Sequence, residues 1–278
     1  MNSLLQSAPG GDASIRIAAA FGAHALALWV ATVAVVLFGA VLAWRLRQRR
    51  LAAPGRIEKP APARVALRAG AGFALIVVAA ALFAWLAEGR HAGAAIGRID
   101  EAFALALRST TPPEAILAFG AMTHAGDPVT LTVLGVVVGS ALLLSGRRAL
   151  AFAWVAAVLG NAILNTTLKG IFMRIRPVHE VVLAHAEGFS FPSGHTSGAV
   201  AAYGMLAYLS LRLLAPVWHL PALCAATVLA VSTAFSRVFL GVHHPSDVVA
   251  GTLSGGAWLA VCIAAVEIHR RRSARSPL

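Results

Sequence analysis

The sequence predicts an all-α fold: a polytopic membrane helical bundle of about six to seven transmembrane helices. Three observations carry this. Hydrophobic residues make up 59% of the 278 and charged residues only 12%, whereas a soluble domain carries about 25% charged residues. Apolar runs of spanning length recur at 23–44, 69–87, 129–145, 149–168, 196–214, 220–235 and 248–266; a span needs roughly 20 such residues, with a range of ~17–25. Lys and Arg are also divided unevenly among the loops between these runs.

Taken in order, residues 1–22 are small and polar and are expected to be poorly ordered. The run 23–44 lacks a positive n-region, is too long for a signal peptide and is followed by a basic stop, so it reads as an anchor. The segment 51–64 contains Pro54, Gly55, Pro60 and Pro62 and reads as an extended linker. Between 88 and 127, Ile96, Ile99, Phe103 and Leu107 recur near helical spacing, with Asp100, Glu101 and Arg108 between them. That pattern predicts an interfacial helix ended by Pro112-Pro113, and Ile116, Phe119 and Met122 suggest a second. A plain connector and a lid guiding acyl chains are equally compatible with this stretch. The weakest span is 220–235, which is short and starts at Pro221. Cys224 and Cys262 lie within apolar runs and read as small buried hydrophobes.

The net charge of +12 raises the question of a nucleic-acid partner, and its distribution argues against one. With seven spans, fifteen of the 23 Lys and Arg fall on one side: eight within 45–68, then Arg147, Arg148, Arg212 and four from Arg270 to Arg275. Short loops rich in Lys and Arg stay in the cytoplasm. The chain is therefore expected in the inner membrane with its N-terminus outside and C-terminus inside. The cluster at 45–68 reads as a surface for anionic headgroups. The implied organisation is residues 1–64 as an outside segment, extra transmembrane helix and basic cytoplasmic linker, 65–270 as the membrane-embedded catalytic domain, and 271–278 as a basic cytoplasmic tail.

Three motifs hold most of the polar chemistry: Lys169-x6-Arg176-Pro177, Pro192-Ser193-Gly194-His195 and Ser236-Arg237-x5-His243-x3-Asp247. They supply three cations, two imidazoles and a carboxylate, a set suited to holding a phosphoryl group, attacking it and protonating the leaving oxygen. Lys169 and Arg176 are nearly two helical turns apart, so both side chains are able to point one way. A snorkelling anchor is the plainer reading of a cation at a membrane boundary, and it covers Arg174. Ser193 is a natural N-cap, Gly194 admits a ligand close to the backbone, and a helix N-terminus binds anions. A capped helix with an incidental His195 remains open from this motif alone. Pro245 suits the first helical position, which makes His244 the N-cap and Asp247 the third residue. From there Asp247 reaches back to accept Nδ1–H of His243 and leave Nε2 free, the orientation used in catalytic triads. A mere helix-start acid at Asp247 leaves Arg237 and His243 unexplained.

A metal at His243, His244 and Asp247 is disfavoured, because one carboxylate stands among several cations. His124, His179 and His185 read as ordinary loop residues. The alternating span directions place the end of the fourth span, the start of the fifth, the end of the sixth and the start of the seventh on the outer, periplasmic face. All three motifs fall at those points.

With these residues in hand, the chain resembles the type 2 phosphatidic acid phosphatase superfamily, which also contains vanadium haloperoxidases. Every defined position of the three family motifs is matched, over about residues 165–255. The resemblance implies that Lys169, Arg176 and Arg237 bind phosphate oxygens, assisted by Ser193 and the Gly194 amide. It implies that His243 forms a phosphohistidine, that His195 acts as acid and then base, and that Asp247 orients His243. No metal or other cofactor is implied. The expected partner is a lipid phosphate in the membrane: undecaprenyl diphosphate, phosphatidate or phosphatidylglycerophosphate. A lipid phosphotransferase and a lipid A phosphatase are the alternatives. A haloperoxidase is disfavoured because those relatives are soluble, and a non-catalytic binder because no motif residue is missing. Nothing in the sequence fixes the oligomeric state.

Overall fold

The computed structural model describes residues 9–52, 62–89, 94–177 and 188–273. The described residues form ten α-helices and no strand: α1 Pro9–Ala23, α2 Ala25–Ala52, α3 Pro62–Glu88, α4 Ala95–Thr110, α5 Pro113–Thr123, α6 Pro128–Leu144, α7 Arg148–Phe172, α8 Gly194–Leu213, α9 His219–Phe239 and α10 Pro245–Ser273. A 3₁₀ turn, His124–Gly126, joins α5 to α6. Each of the seven expected runs coincides with a helix. Among the described residues, five helical stretches are long and apolar enough to span alone, and Pro113–Gly126 with Pro128–Leu144 makes a sixth candidate bent by 42°.

The run 196–214 is the exception, and its place in the bundle explains why. It corresponds to α8, which packs against α7, α9 and α10. Thr196, Ser197, Gly198, Ala199, Ala201 and Ala202 on it are all buried. A helix shielded by others need not present apolar side chains to lipid. Two glycines on α10 set this packing: a Cβ on Gly251 would lie 2.6 Å from the Ser193 carbonyl oxygen, and one on Gly255 2.6 Å from that of Ser197. Small residues one turn apart let helix backbones approach closely. The approach brings the starts of α8 and α10 together, where Ser193 N–H donates to the Asp247 carbonyl at 3.0 Å.

Two expectations are corrected. Residues 9–22 form a helix rather than an unordered segment, because α1 has a partner: it packs along α4. Gly22 is the contact that permits this, since a Cβ there would meet the Phe103 carbonyl oxygen at 2.3 Å. The linker 51–64 is shorter than expected, because α2 runs on to Ala52 and α3 begins at Pro62; the residues between lie outside those described. α2 is packed onto the bundle through α9, where Trp29 Nε1 donates to Ser232 Oγ at 3.2 Å and the Trp29 ring meets Phe119 edge-on. The two helices expected between 88 and 127 are α4 and α5. Of these, α4 does more than lie in an interface, because Ile96, Asp100 and Leu107 are all buried. Cys224 and Cys262 are free thiols, half-buried and buried.

Candidate active site

The site forms where the end of α7, the start of α8, the end of α9 and the start of α10 meet. At the start of α10, Pro245 is the first helical residue and Asp247 Oδ2 accepts the His244 backbone N–H at 2.9 Å. This is the reach-back of a third-position carboxylate over its helix start. The same carboxylate faces His243 Nδ1 at 3.3 Å and accepts from Ser190 Oγ and, at 2.6 Å, from Arg174 Nη1. Asp247 is fully buried, and four donors occupy its oxygens.

His243 is nearly as buried as Asp247. Its Nε2 lies 3.0 Å from Arg176 Nη1. A guanidinium only donates hydrogen bonds, so Nε2 is the unprotonated nitrogen and the ring proton is on Nδ1, toward Asp247. Burial pushes the His243 imidazole down to about 3, against the opposing pull of Asp247. The ring is therefore neutral near pH 7, with its lone pair facing the cations.

Arg176 gets there by a route other than helix periodicity. α7 ends at Phe172, and Met173 takes a left-handed conformation with φ 43°. The chain then runs on past Arg174, whose carbonyl accepts from Ser190 N–H at 2.8 Å. Arg176 is fixed by donating Nε to the Gly188 carbonyl at 3.0 Å and Nη1 to that of Val242 at 2.9 Å. Burial pushes this guanidinium below its usual range. Lys169, on the last turn of α7, donates to the Phe189 carbonyl at 2.6 Å. Arg237, on the last turn of α9, is buried and donates Nη1 to Thr123 Oγ1 at 2.6 Å. Its Nε is buried with no acceptor among the described residues. An unmet buried donor costs roughly 1–3 kcal/mol.

Ser193 caps α8: its oxygen lies 3.5 Å from Thr196 N and accepts from Thr196 Oγ1 at 3.0 Å. It is fully buried and does not line the cavity described below. Gly194 and His195 follow as the first helical residues, whose N–H groups have no acceptor within the helix. A Cβ on Gly194 would lie 2.9 Å from Asn165 Oδ1 and 3.9 Å from Lys169 Cε, so a side chain there would press on Asn165, one turn before the α7 cation. His195 Nε2 meets Asp127 Oδ1 at 2.7 Å.

Arg174 overturns its reading as a snorkelling anchor. It is buried, donating Nη1 to Asp247 and to Ser246 Oγ at 2.7 Å, and Nη2 to Asp100 Oδ2 at 2.9 Å. Asp100 also accepts Ser246 N–H at 3.0 Å. This network ties α4 to the start of α10. Asp100 was the signal: an acid four residues after Ile96 and seven before Leu107 sits on the apolar stripe itself and needs a cation. The loop histidines differ among themselves. His124 pairs with Asp127, while His179 and His185 lie outside the described residues.

A cavity of about 1070 Å³ joins these parts. Lys169, Arg176, Arg237, His195 and His243 line its head. It continues as a largely apolar lane between α6 and α7, past Leu131, Gly135 and Gly139 on one side and Val155, Val158 and Leu159 on the other.

A membrane helix bundle with three cations, a carboxylate-oriented imidazole and a second imidazole at one end defines the class. The PAP2 superfamily model matches residues 149–271, and the chain belongs to that superfamily. It is 31% identical over 177 residues to phosphatidylglycerophosphatase B of Bacillus subtilis (strain 168), across 61% of this chain and 83% of that protein. It is 35% identical over 136 residues to the putative undecaprenyl-diphosphatase YbjG of Escherichia coli (strain K12), across 47% of this chain and 64% of that one. The crystal structure of a transmembrane PAP2-type phosphatidylglycerolphosphate phosphatase from Bacillus subtilis matches with a TM-score of 0.64 at 29% identity, over 69% of this chain and 96% of that one. The chain is thus a membrane phosphatase, a hydrolase of phosphate esters.

Proposed function

We propose that the protein removes a terminal phosphate from a lipid through a phosphohistidine intermediate. The observation that carries this is one continuous cavity: one end presents cations and two imidazoles, and the other is a largely apolar lane between α6 and α7. A soluble phosphate ester needs the first and has no use for the second. The lane's length along α6 and α7 suits a hydrocarbon chain lying between two helices.

In this reading Lys169, Arg176, Arg237 and the Gly194 amide hold the phosphoryl oxygens and neutralise the charge of the transition state. Ser193 contributes by capping α8 and so aiming its free N–H groups. His243 Nε2 attacks phosphorus while Nδ1–H stays on Asp247. His195 gives a proton to the leaving oxygen and then takes one from the attacking water. No step calls for a metal, since three cations already carry the charge neutralisation. The site faces the periplasm, as the Lys and Arg bias supports. Phosphatidylglycerophosphate, undecaprenyl diphosphate and phosphatidate are the candidate substrates. Lipid A is a further candidate within this class. A lipid phosphotransferase would share the first half-reaction and end on an alcohol.

The test is phosphate release from purified lipids in detergent, for the wild type and for Gly135→Leu. A Cβ on Gly135 meets only Val158, at 3.7 Å, so a leucine fits and obstructs the lane. The expected result is a KM for lipid raised at least tenfold with p-nitrophenyl phosphate turnover unchanged. Equal turnover of lipid by both proteins would sink the lane as a lipid site.

A further inference from the structure

Asp127 lies outside the three motifs and outside the 149–271 range of the family model, yet it touches the motif histidine most in need of a partner. Its Oδ1 is 2.7 Å from His195 Nε2, and its Oδ2 is 2.6 Å from His124 Nδ1. The 3₁₀ turn before it is pressed against α8: a Cβ on Gly126 would lie 3.2 Å from both Cβ and the carbonyl oxygen of His195. Tyr203 on α8 fastens the same turn, donating its hydroxyl to the Ala125 carbonyl at 2.6 Å. The contact therefore belongs to a fixed junction rather than a loose side chain.

The electrostatics around His195 show what the contact does. The charged groups facing it are Arg237 from α9, Lys169 from α7, and Asp127 with His124 behind it from the turn. Burial first, and then the two cations within reach, disfavour a protonated imidazole, and the carboxylate in hydrogen-bond contact opposes them. An acid must hold its proton before it can give it. Without Asp127, burial and the two cations would act on this imidazole unopposed.

We propose that Asp127 is the positioning residue of the acid–base histidine. Its carboxylate, held from behind by His124, fixes the His195 ring through Nε2 and favours the imidazolium between Lys169 and Arg237. His195 Nδ1 has no partner among the described residues and is the nitrogen that serves the leaving oxygen. In the first step the bond from phosphorus to the leaving oxygen breaks, its electron pair stays on that oxygen, and the Nδ1 proton passes to it. In the second, water gives a proton to Nδ1 and its oxygen bonds phosphorus as the bond to His243 Nε2 breaks, with that pair returning to nitrogen. His195 ends each cycle as it began, so Asp127 itself neither gains nor loses a proton.

This inference rests on His195 being the acid–base group, and the experiment separates the two claims. Wild type, Asp127→Asn, His124→Gln and His195→Ala are assayed on a lipid phosphate, whose alkoxide leaves poorly, and on p-nitrophenyl phosphate, whose phenolate leaves unaided. For Asp127→Asn the expected result is a kcat lowered 10- to 100-fold on lipid and less than threefold on p-nitrophenyl phosphate. The basic limb of its pH profile moves to lower pH, because the imidazolium is less favoured. His124→Gln moves that limb the same way by less, and it carries the test if Asp127→Asn does not fold. Equal losses on both substrates, or a basic limb that stays in place in both variants, overturns the role of Asp127. If His195→Ala itself loses activity equally on both substrates, the acid–base reading of His195 fails instead.

Discussion

Arg176 Nη1 sits 3.0 Å from His243 Nε2 and so reports the tautomer of the buried imidazole. Because the guanidinium offers only N–H groups, the nitrogen it faces holds a lone pair. The same arginine is fixed by the Gly188 and Val242 carbonyls, and both it and His243 line the head of the cavity.

Replacing that arginine tests the geometry. Lysine keeps the charge and loses the fork, so Arg176→Lys cannot serve Gly188, Val242 and a phosphoryl oxygen at once. Its kcat/KM should fall about 10²–10³-fold, the range for losing one donor to transition-state charge. Steady-state kinetics on p-nitrophenyl phosphate measure this; a loss under threefold would remove Arg176 from the site.

The buried pair of Arg174 with Asp100 and Asp247 predicts a different outcome. Removing one partner of a buried ion pair typically costs ~3–5 kcal/mol, because the other charge is left uncompensated. Asp100→Asn should therefore lower the thermal midpoint in detergent and slow turnover as well, since it loosens the arginine that braces Asp247. Arg174→Met should cost more, because it leaves both Asp100 and Asp247 without their cation, whereas Asp100→Asn leaves Arg174 paired with Asp247. A thermal midpoint for Arg174→Met equal to or above that of Asp100→Asn would contradict this network.

How much of this was legible beforehand differs from element to element. The membrane helices read directly, because lipid exposure demands long apolar runs. The start of α10 read correctly down to the reach-back of Asp247, because capping is local in sequence. α8 was legible as a helix, but its central place was not, since burial among helices depends on partners far along the chain. Arg174 was misread because its partners Asp100 and Asp247 lie 74 and 73 residues away. Asp127 was passed over for the same reason. A single acid in a loop gives no local sign that it will meet an imidazole 68 residues on.

Burial of His243 predicts a pH dependence of stability. In the folded protein its pKa is depressed to about 3, whereas an unfolded histidine titrates near ~6.5. Between those values the unfolded chain binds the extra proton, so stability from this group is full above about 6.5 and lost as pH falls toward 3. The thermal midpoint should drop more steeply from pH 6 to pH 4 in the wild type than in His243→Gln, which has nothing to protonate. Parallel curves would mean the ring is not held neutral.

The orientation rests on fifteen of 23 Lys and Arg lying on one side. Periplasm-dependent reporters fused at the N-terminus should be active and those at the C-terminus silent, with cytoplasmic reporters giving the reverse. A cytoplasmic N-terminus together with a cytoplasmic C-terminus would show that the number of spans is even.

The central claim is that His243 Nε2 becomes covalently bonded to phosphorus. The most direct measurement is trapping of labelled phosphate on the protein after rapid mixing with an activated phosphate ester. The wild type should carry acid-labile, base-stable label, and His195→Ala should accumulate it on long incubation, because water is then not activated and general acid–base help is worth ~10²–10⁴-fold. His243→Ala should carry none. Label on His243→Ala, or base-labile, acid-stable phosphate in the wild type, would contradict the account.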